Sequence, residues 1–302
     1  MDFKDIIGNT EVKDYLIKSI KQKNILHSYL FLGTNGIGKL LMAKVFAKNI
    51  LCLRENEENC TCKSCTCFNG LNHPDFYLIN EDGETIKVDT IRKLTEKVIE
   101  KPIVSNKKVY IINDFDKMTE EAQNCLLKTL EEPPEFAVMI LISSNENVIL
   151  NTIKSRCMTI KFHNIEDNEL LKYAKEVIGY DNISTNLLKS FYGSIGNAIK
   201  FKDSKEKYDA IDLLVANLTK KDIIDILLEG KVIYDKENIY DILDYITVCL
   251  YSKINENEKY ADCIKYVNEC AKRLKFNSNF DMTIDNLLLK MWEELNENSN
   301  RC

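Results

Sequence analysis

The sequence predicts an α/β protein, with a parallel sheet covered by helices on both faces over residues 1–163 and helices alone beyond it. Three observations predict this. Short, nearly continuous apolar runs alternate with helical patterns up to residue 163 and then stop, as strands buried on both faces do in a strand–helix–strand chain. Gly 10 and Pro 4 in 302 residues are far below ordinary usage, which argues against turn-rich all-β folds. A glycine-rich loop follows the first apolar run and opens a helical pattern, the local order of a phosphate-binding strand–loop–helix unit.

Taken in order, the strand candidates are 29–32, 76–79, 109–112, 137–142 and 158–162. Each is too short for a helix. Between them, residues 41–51 read as a helix following the loop. Thr119 to Glu132 reads as another: Thr119 can cap it, Glu120 and Glu121 suit its first turn, Ala122, Leu126, Leu127 and Leu130 share a face, and Pro133-Pro134 stops it. Residues 166–202 read as two or three short helices broken near Gly179 and Gly193. From 204 to 297 the pattern is of longer amphipathic helices, as in Ile239, Ile242, Leu243, Ile246 and Leu250. The expected domains are 1–163, 164–203 and 204–302, with a frayed tail after Asn296.

Charge is unevenly divided. Residues 1–202 carry 27 basic and 27 acidic side chains, residues 203–302 carry 14 against 20, and the net charge is −6. A chain that gripped nucleic acid through its own field would be basic, so autonomous tight DNA binding is disfavoured and a protein partner is expected for the acidic third. No apolar run reaches the roughly 18 residues of a membrane span. Acidic residues at positions 2, 5, 11 and 14 do not suit a secretory signal. A cytoplasmic location is expected.

Gly33-Thr34-Asn35-Gly36-Ile37-Gly38-Lys39-Leu40 has the spacing G-x-x-x-x-G-K-[ST], in which backbone N–H groups and a lysine hold phosphate oxygens at a helix N-terminus. Leu40 stands where a hydroxyl would reach Mg²⁺. The run 109–112 ends in Asn113, followed by Asp114 and Asp116, so the position where an aspartate helps hold the same ion is neutral. Both changes weaken the same ion, which predicts loss of hydrolysis. ATP held without turnover, and a loop kept only for its turn, both remain open.

Five of the eleven cysteines cluster as Cys52-x7-Cys60-x-Cys62-x2-Cys65-x-Cys67. Their odd total and local density favour a metal site over disulfides. Four thiolates close a tetrahedral Zn²⁺ shell with no open position, so zinc here would be structural. Cys125, Cys157, Cys249, Cys263, Cys270 and Cys302 are scattered, several at helical spacing, and read as small hydrophobes.

Ser155-Arg156-Cys157 precedes the last strand candidate. An arginine's planar fork can neutralise charge on a transferring phosphoryl group, including in a neighbour's site, although an arginine at a helix end is more often solvated or satisfying the dipole. The surrounding motifs change the balance. The loop 33–40, the run 109–112 with Asn113-Asp114, Leu126-Leu127-Lys128-Thr129-Leu130-Glu131-Glu132-Pro133-Pro134, Ser155-Arg156-Cys157 and Gly196-Asn197-Ala198 together resemble the clamp-loader branch of the AAA+ ATPases over roughly the first 200 residues. Within it, the set is most similar to the delta-prime family of bacterial DNA polymerase III.

The resemblance implies a AAA+ phosphate-loop core at 1–163 with a zinc-binding insertion at about 52–67, a helical lid at 164–203 and a collar at 204–302. It implies a stator that hydrolyses no ATP, sits in a hetero-pentamer with tau/gamma motor subunits and a delta subunit, and meets the sliding clamp and primed DNA through that complex. Arg156 would be the arginine finger, flanked by Ser155 and Cys157, serving the adjacent motor's ATP site. Gly33, Gly36, Gly38 and Lys39 would line the degenerate nucleotide loop.

By the same resemblance Cys52, Cys62 and Cys65 are zinc ligands. The fourth is Cys60, after a one-residue deletion, or Cys67, with Cys60 preferred, and His73 of His73-Pro74-Asp75 is a packing or loop residue. Two other readings compete. An active motor would need Asp114 or Asp116 to take over the metal. A zinc-dependent DNA-binding module has the wrong field, since only Arg54 and Lys63 oppose Glu55, Glu57 and Glu58 within the insertion.

Overall fold

A computed structural model describes residues 2–54, 60–80, 83–179, 183–276 and 278–296. Cys302, the tail beyond 296 and the acidic residues Glu55, Glu57 and Glu58 lie outside the described residues. The chain divides into two compact units. The first is residues 1–169 with 193–196; the second is 170–192 with 197–302.

The first unit is built on five strands: β1 Ser28–Leu32, β2 Phe76–Ile79, β3 Lys108–Ile112, β4 Ala137–Ser143 and β5 Met158–Lys161. All pairs are parallel, in the order β2-β3-β4-β1-β5. Central strands β1, β3 and β4 are buried along their whole length, which is why their sequences run apolar without alternation. Their side chains divide between two cores. Tyr29, Phe31, Val109, Ile111, Val138 and Ile140 pack against α1 Thr10–Lys21 and α2 Lys39–Leu51 on one face. Leu30, Leu32, Tyr110, Ile112, Met139 and Leu141 lie on the other face.

That second face is covered after α3 Lys63–Asn69, the short helix inside the cysteine-rich insertion. It packs against α4 Val88–Val98, through Ile91, Leu94 and Val98, and against α5 Glu120–Glu131, through Ala122, Leu126 and Leu130. Fully burying each of these Ile, Leu and Val side chains is worth about 1.5–3 kcal/mol. Thr119 caps α5 by accepting a hydrogen bond from the Ala122 N–H at 3.3 Å. Leu127 lies at the half-buried rim of that face, and Gln123 takes a buried place instead, its amide bonded to Val148 O and Leu150 N. The short α6 Asn151–Lys154 leads into β5.

The rest is helical, as the vanishing of strand runs predicts. The stretch 164–203 holds α7 Asp167–Tyr173, extended by a wider turn to Ile178, then α8 Thr185–Ser190 and α9 Ile195–Lys200. Gly179 and Gly193, both at positive φ, mark the expected breaks. Then come α10 Lys205–Asn217, α11 Ile223–Glu229, α12 Ile239–Lys253, α13 Lys259–Lys275 and α14 Phe280–Asn296. Within the second unit, Asp212 of α10 accepts hydrogen bonds from Ser184, Asn186 and Cys249. Cys263 and Cys270 are buried in the α13 face, Cys249 in that of α12.

Candidate functional site

All the candidate residues fall in the first unit. The loop after β1 turns through Gly36 and Gly38 at φ 77° and 89°, conformations that L side chains rarely adopt, and delivers Lys39 as the first residue of α2. Lys39 is buried, and its ammonium donates to Gly33 O at 2.6 Å and Thr34 O at 2.7 Å. Burial lowers its pKa to about 8, against the opposing pull of Asp116 and Asp114.

The loop's tip is met by Ser194 and the first turn of α9. Gly196 N–H donates to Gly36 O at 2.9 Å. A Cβ on Gly36 would stand 2.2 Å from Ser194 Oγ, and one on Gly196 would stand 2.8 Å from Gly36 Cα. Two glycines 160 residues apart in sequence are therefore matched to each other.

At the magnesium positions the donors are missing or committed. Leu40 offers no oxygen. Asn113 and Asn80 each donate a side-chain N–H to the other's backbone carbonyl, at 3.3 and 3.2 Å, tying the end of β3 to that of β2. Asp116 accepts from Ser143 Oγ, Ser144 N and Ser144 Oγ at 3.0–3.1 Å. Burial would raise its pKa, but these donors outweigh it and hold the carboxylate below the ordinary range. Asp114 pairs with Lys117 at 3.0 Å. The loop backbone suits a phosphate group; the residues where magnesium would sit do not suit the metal.

In the insertion, the sulfurs of Cys52, Cys60, Cys62 and Cys65 all lie within 4.8 Å of one another, with Cys52 and Cys60 at 3.7 Å. A tetrahedron of thiolates about Zn²⁺ at about 2.3 Å has edges close to this. These four cysteines therefore fit a metal, and Cys67 is outside the group. Burial pushes the Cys62 thiol up, and hydrogen bonds from the backbone of Cys65 and Leu53 pull it down further, to about 6.

His73 is no part of the cluster. Its Nδ1 accepts from Asp75 N–H at 3.0 Å, so Nε2 carries the proton and lies 2.8 Å from Ser64 Oγ. Ser64 and Ser105 both donate to Leu51 O at 2.7 Å. Asp75 is fully buried, and its carboxylate accepts the backbone N–H groups of Ile103, Val104 and Ser105 at 2.7, 2.7 and 2.8 Å. Burial alone would raise the Asp75 pKa; the three amides hold it below the ordinary range.

Arg156 sits in the turn between α6 and β5, one-third exposed. One guanidinium nitrogen donates to Thr152 O at 2.9 Å and Ser155 Oγ at 3.3 Å, and another meets Glu131 Oε1 at 2.7 Å. Cys157 packs against the sheet, and burial pushes its thiol up to about 12, so it is no nucleophile.

Sequence relatives give the family. A family profile described as "DNA polymerase III, delta subunit" matches residues 8–166. The DNA polymerase III subunit delta' of Buchnera aphidicola subsp. Schizaphis graminum is 30% identical over 87% of this chain and 83% of its own length. The chain belongs to the delta-prime family of DNA polymerase III. Another delta' subunit, from Bacillus subtilis, is 40% identical over 51% of this chain. The tau/gamma subunit of Haemophilus influenzae is 30% identical over 67% of it. The chain spans about half the length of the Bacillus relative, 47%, and 30% of the Haemophilus one. Among solved structures, a gamma-subunit-related protein of Thermotoga maritima covers 93% of the chain at TM-score 0.51 and 17% identity, which shows the shared fold.

Within this delta-prime chain, three features escape a reading of the sequence alone: the carboxylate of Asp75, the Gly36–Gly196 contact and the Glu131 partner of Arg156. Each joins residues distant along the chain. Only Asp75 carried a signal, an acid placed directly before an apolar strand.

Proposed function

We propose that this chain is the stator of a bacterial clamp loader: a ring member that turns over no ATP and lends Arg156 to the ATP site of a neighbouring motor subunit. One observation carries the reading. The β1–β5 register pairs Met158 with Tyr29 and Lys161 with Leu32. Arg156 thus enters at the N-terminal edge of the sheet, whereas the phosphate loop leaves β1 at the C-terminal edge. At about 3.3 Å per residue the two levels are roughly 20 Å apart. Its guanidinium is out of reach of this chain's own loop, which leaves a neighbour's site as the one it would serve.

The lack of uncommitted partners for magnesium supports the rest. A motor needs an anion and a hydroxyl on the ion, and here Leu40 and Asn113 provide neither, while Asp114 and Asp116 are occupied by Lys117 and by the serines at the end of β4. A phosphate bound at Gly33, Gly36, Gly38 and Lys39 would be held without turnover. Zinc on Cys52, Cys60, Cys62 and Cys65 would be structural, since four thiolates leave no open position. Residues 164–203 would act as lid and 204–302 as collar, contacting tau/gamma and delta subunits in a pentamer that places the sliding clamp on primed DNA.

The test is reconstitution with the motor and delta subunits of the same organism. The isolated chain should show no ATPase above background. Arg156→Ala should assemble normally and lower DNA-stimulated ATPase at the site it serves by about 10³- to 10⁵-fold, on the order of an arginine-finger deletion. Normal turnover by that mutant complex rejects the finger, and hydrolysis by the isolated chain, abolished by Lys39→Ala, rejects the stator.

A further inference from the structure

We infer that Glu131 is a positioning residue that stores the Arg156 guanidinium against this chain until a phosphate competes for it. The inference rests on the finger reading above and adds its regulation. Arg156 is held at the meeting of two helix C-termini. Glu131 is the last residue of α5, and Thr152 O belongs to the four-residue α6. A carboxylate at the C-terminal end of a helix opposes the helix dipole, so Glu131 is unfavourably placed unless a cation joins it, and Arg156 does so at 2.7 Å.

The geometry is that of a weak clasp. Arg156 is 33% exposed and Glu131 48% exposed, and solvated pairs of this kind contribute little. The nitrogen that meets Glu131 is also one of those a bidentate phosphate contact would need, so the carboxylate and a neighbour's phosphate exclude each other. The Thr152 and Ser155 contacts use the other nitrogen and do not depend on Glu131 when it lets go. A polyphosphate carries more charge than a carboxylate and wins when the subunits close. In an open ring it is out of reach, and Glu131 keeps the arginine.

Glu131→Gln keeps the shape and removes the charge. In the reconstituted loader, ATPase without DNA should rise about two- to five-fold, the range an exposed ion pair spans, while the DNA-stimulated rate changes less. In the free chain, modification of Arg156 by an arginine-selective dicarbonyl, read by mass spectrometry, should quicken by a similar factor. The double variant Glu131→Gln/Arg156→Ala should show no gain over Arg156→Ala. If Arg156→Ala lowers turnover but Glu131→Gln leaves both the DNA-free rate and the modification rate unchanged, the clasp is wrong and the finger stands. If Arg156→Ala itself has no effect, the finger fails first.

Discussion

Replacing Asp75 by asparagine tests whether the segment 103–105 is held by one buried carboxylate. The native group accepts three backbone N–H groups, Ile103 on one oxygen and Val104 and Ser105 on the other. Asparagine keeps a single acceptor. With that oxygen facing Val104 and Ser105, two bonds survive without charge, and the new NH₂ meets the Ile103 N–H, donor against donor. A buried donor left unpaired costs about 1–3 kcal/mol, and each bond that loses its charged partner loses about 1 kcal/mol more. Sparing the burial of a charge offsets part of this, leaving a destabilisation of about 2–4 kcal/mol at pH 7. The sign with pH follows from the depressed pKa. The stabilisation is present above the unfolded carboxylate value of 3.8 and is lost as pH falls through the lower folded value, so parent and variant converge in acid. Urea titration, with amide exchange at residues 103–105 as the local probe, measures it. A variant within about 0.5 kcal/mol of the parent at pH 7, with unchanged exchange there, refutes the assignment.

Zinc stoichiometry separates the cysteines: Cys60→Ser should lower bound zinc well below one per chain and Cys67→Ser should leave it intact, as read by native mass spectrometry, and the reverse would move the fourth ligand to Cys67. Lys39 should titrate near 8, seen as a rise in its reductive-methylation rate through that pH. Because its folded pKa lies below the unfolded 10.5, the charged lysine disfavours folding at neutral pH and the penalty is relieved between about 8 and 10.5. Lys39→Met should therefore gain more stability at pH 7 than at pH 10; an equal gain at both would show that Lys39 is solvated.

The sheet was legible because strands buried on both faces leave an unbroken apolar trace, and all five strands sit within a residue of their runs. Helix starts were less so. Lys39 opens α2 although its charge disguises it as loop, since its ammonium is spent on loop carbonyls. The helix α3 lay hidden because its cysteines read as ligands rather than as a turn of helix. In the site, motifs gave the residues and not their partners. Glu131 stood in a recognised run, yet nothing local tells that it faces Arg156, and Gly196 does not announce Gly36. Such pairings are set by the tertiary fold, which joins sequence-distant groups without leaving a periodic trace.

The carbonyl of Leu51 receives two serine hydroxyls, one from α3 and one from the segment held by Asp75. This rooting point lies outside the ring of sulfurs. The helix inside the insertion is thus rooted by hydroxyls on the end of α2 and beside the segment leading to β3, so its anchorage to the rest of the unit does not consist of the sulfurs alone.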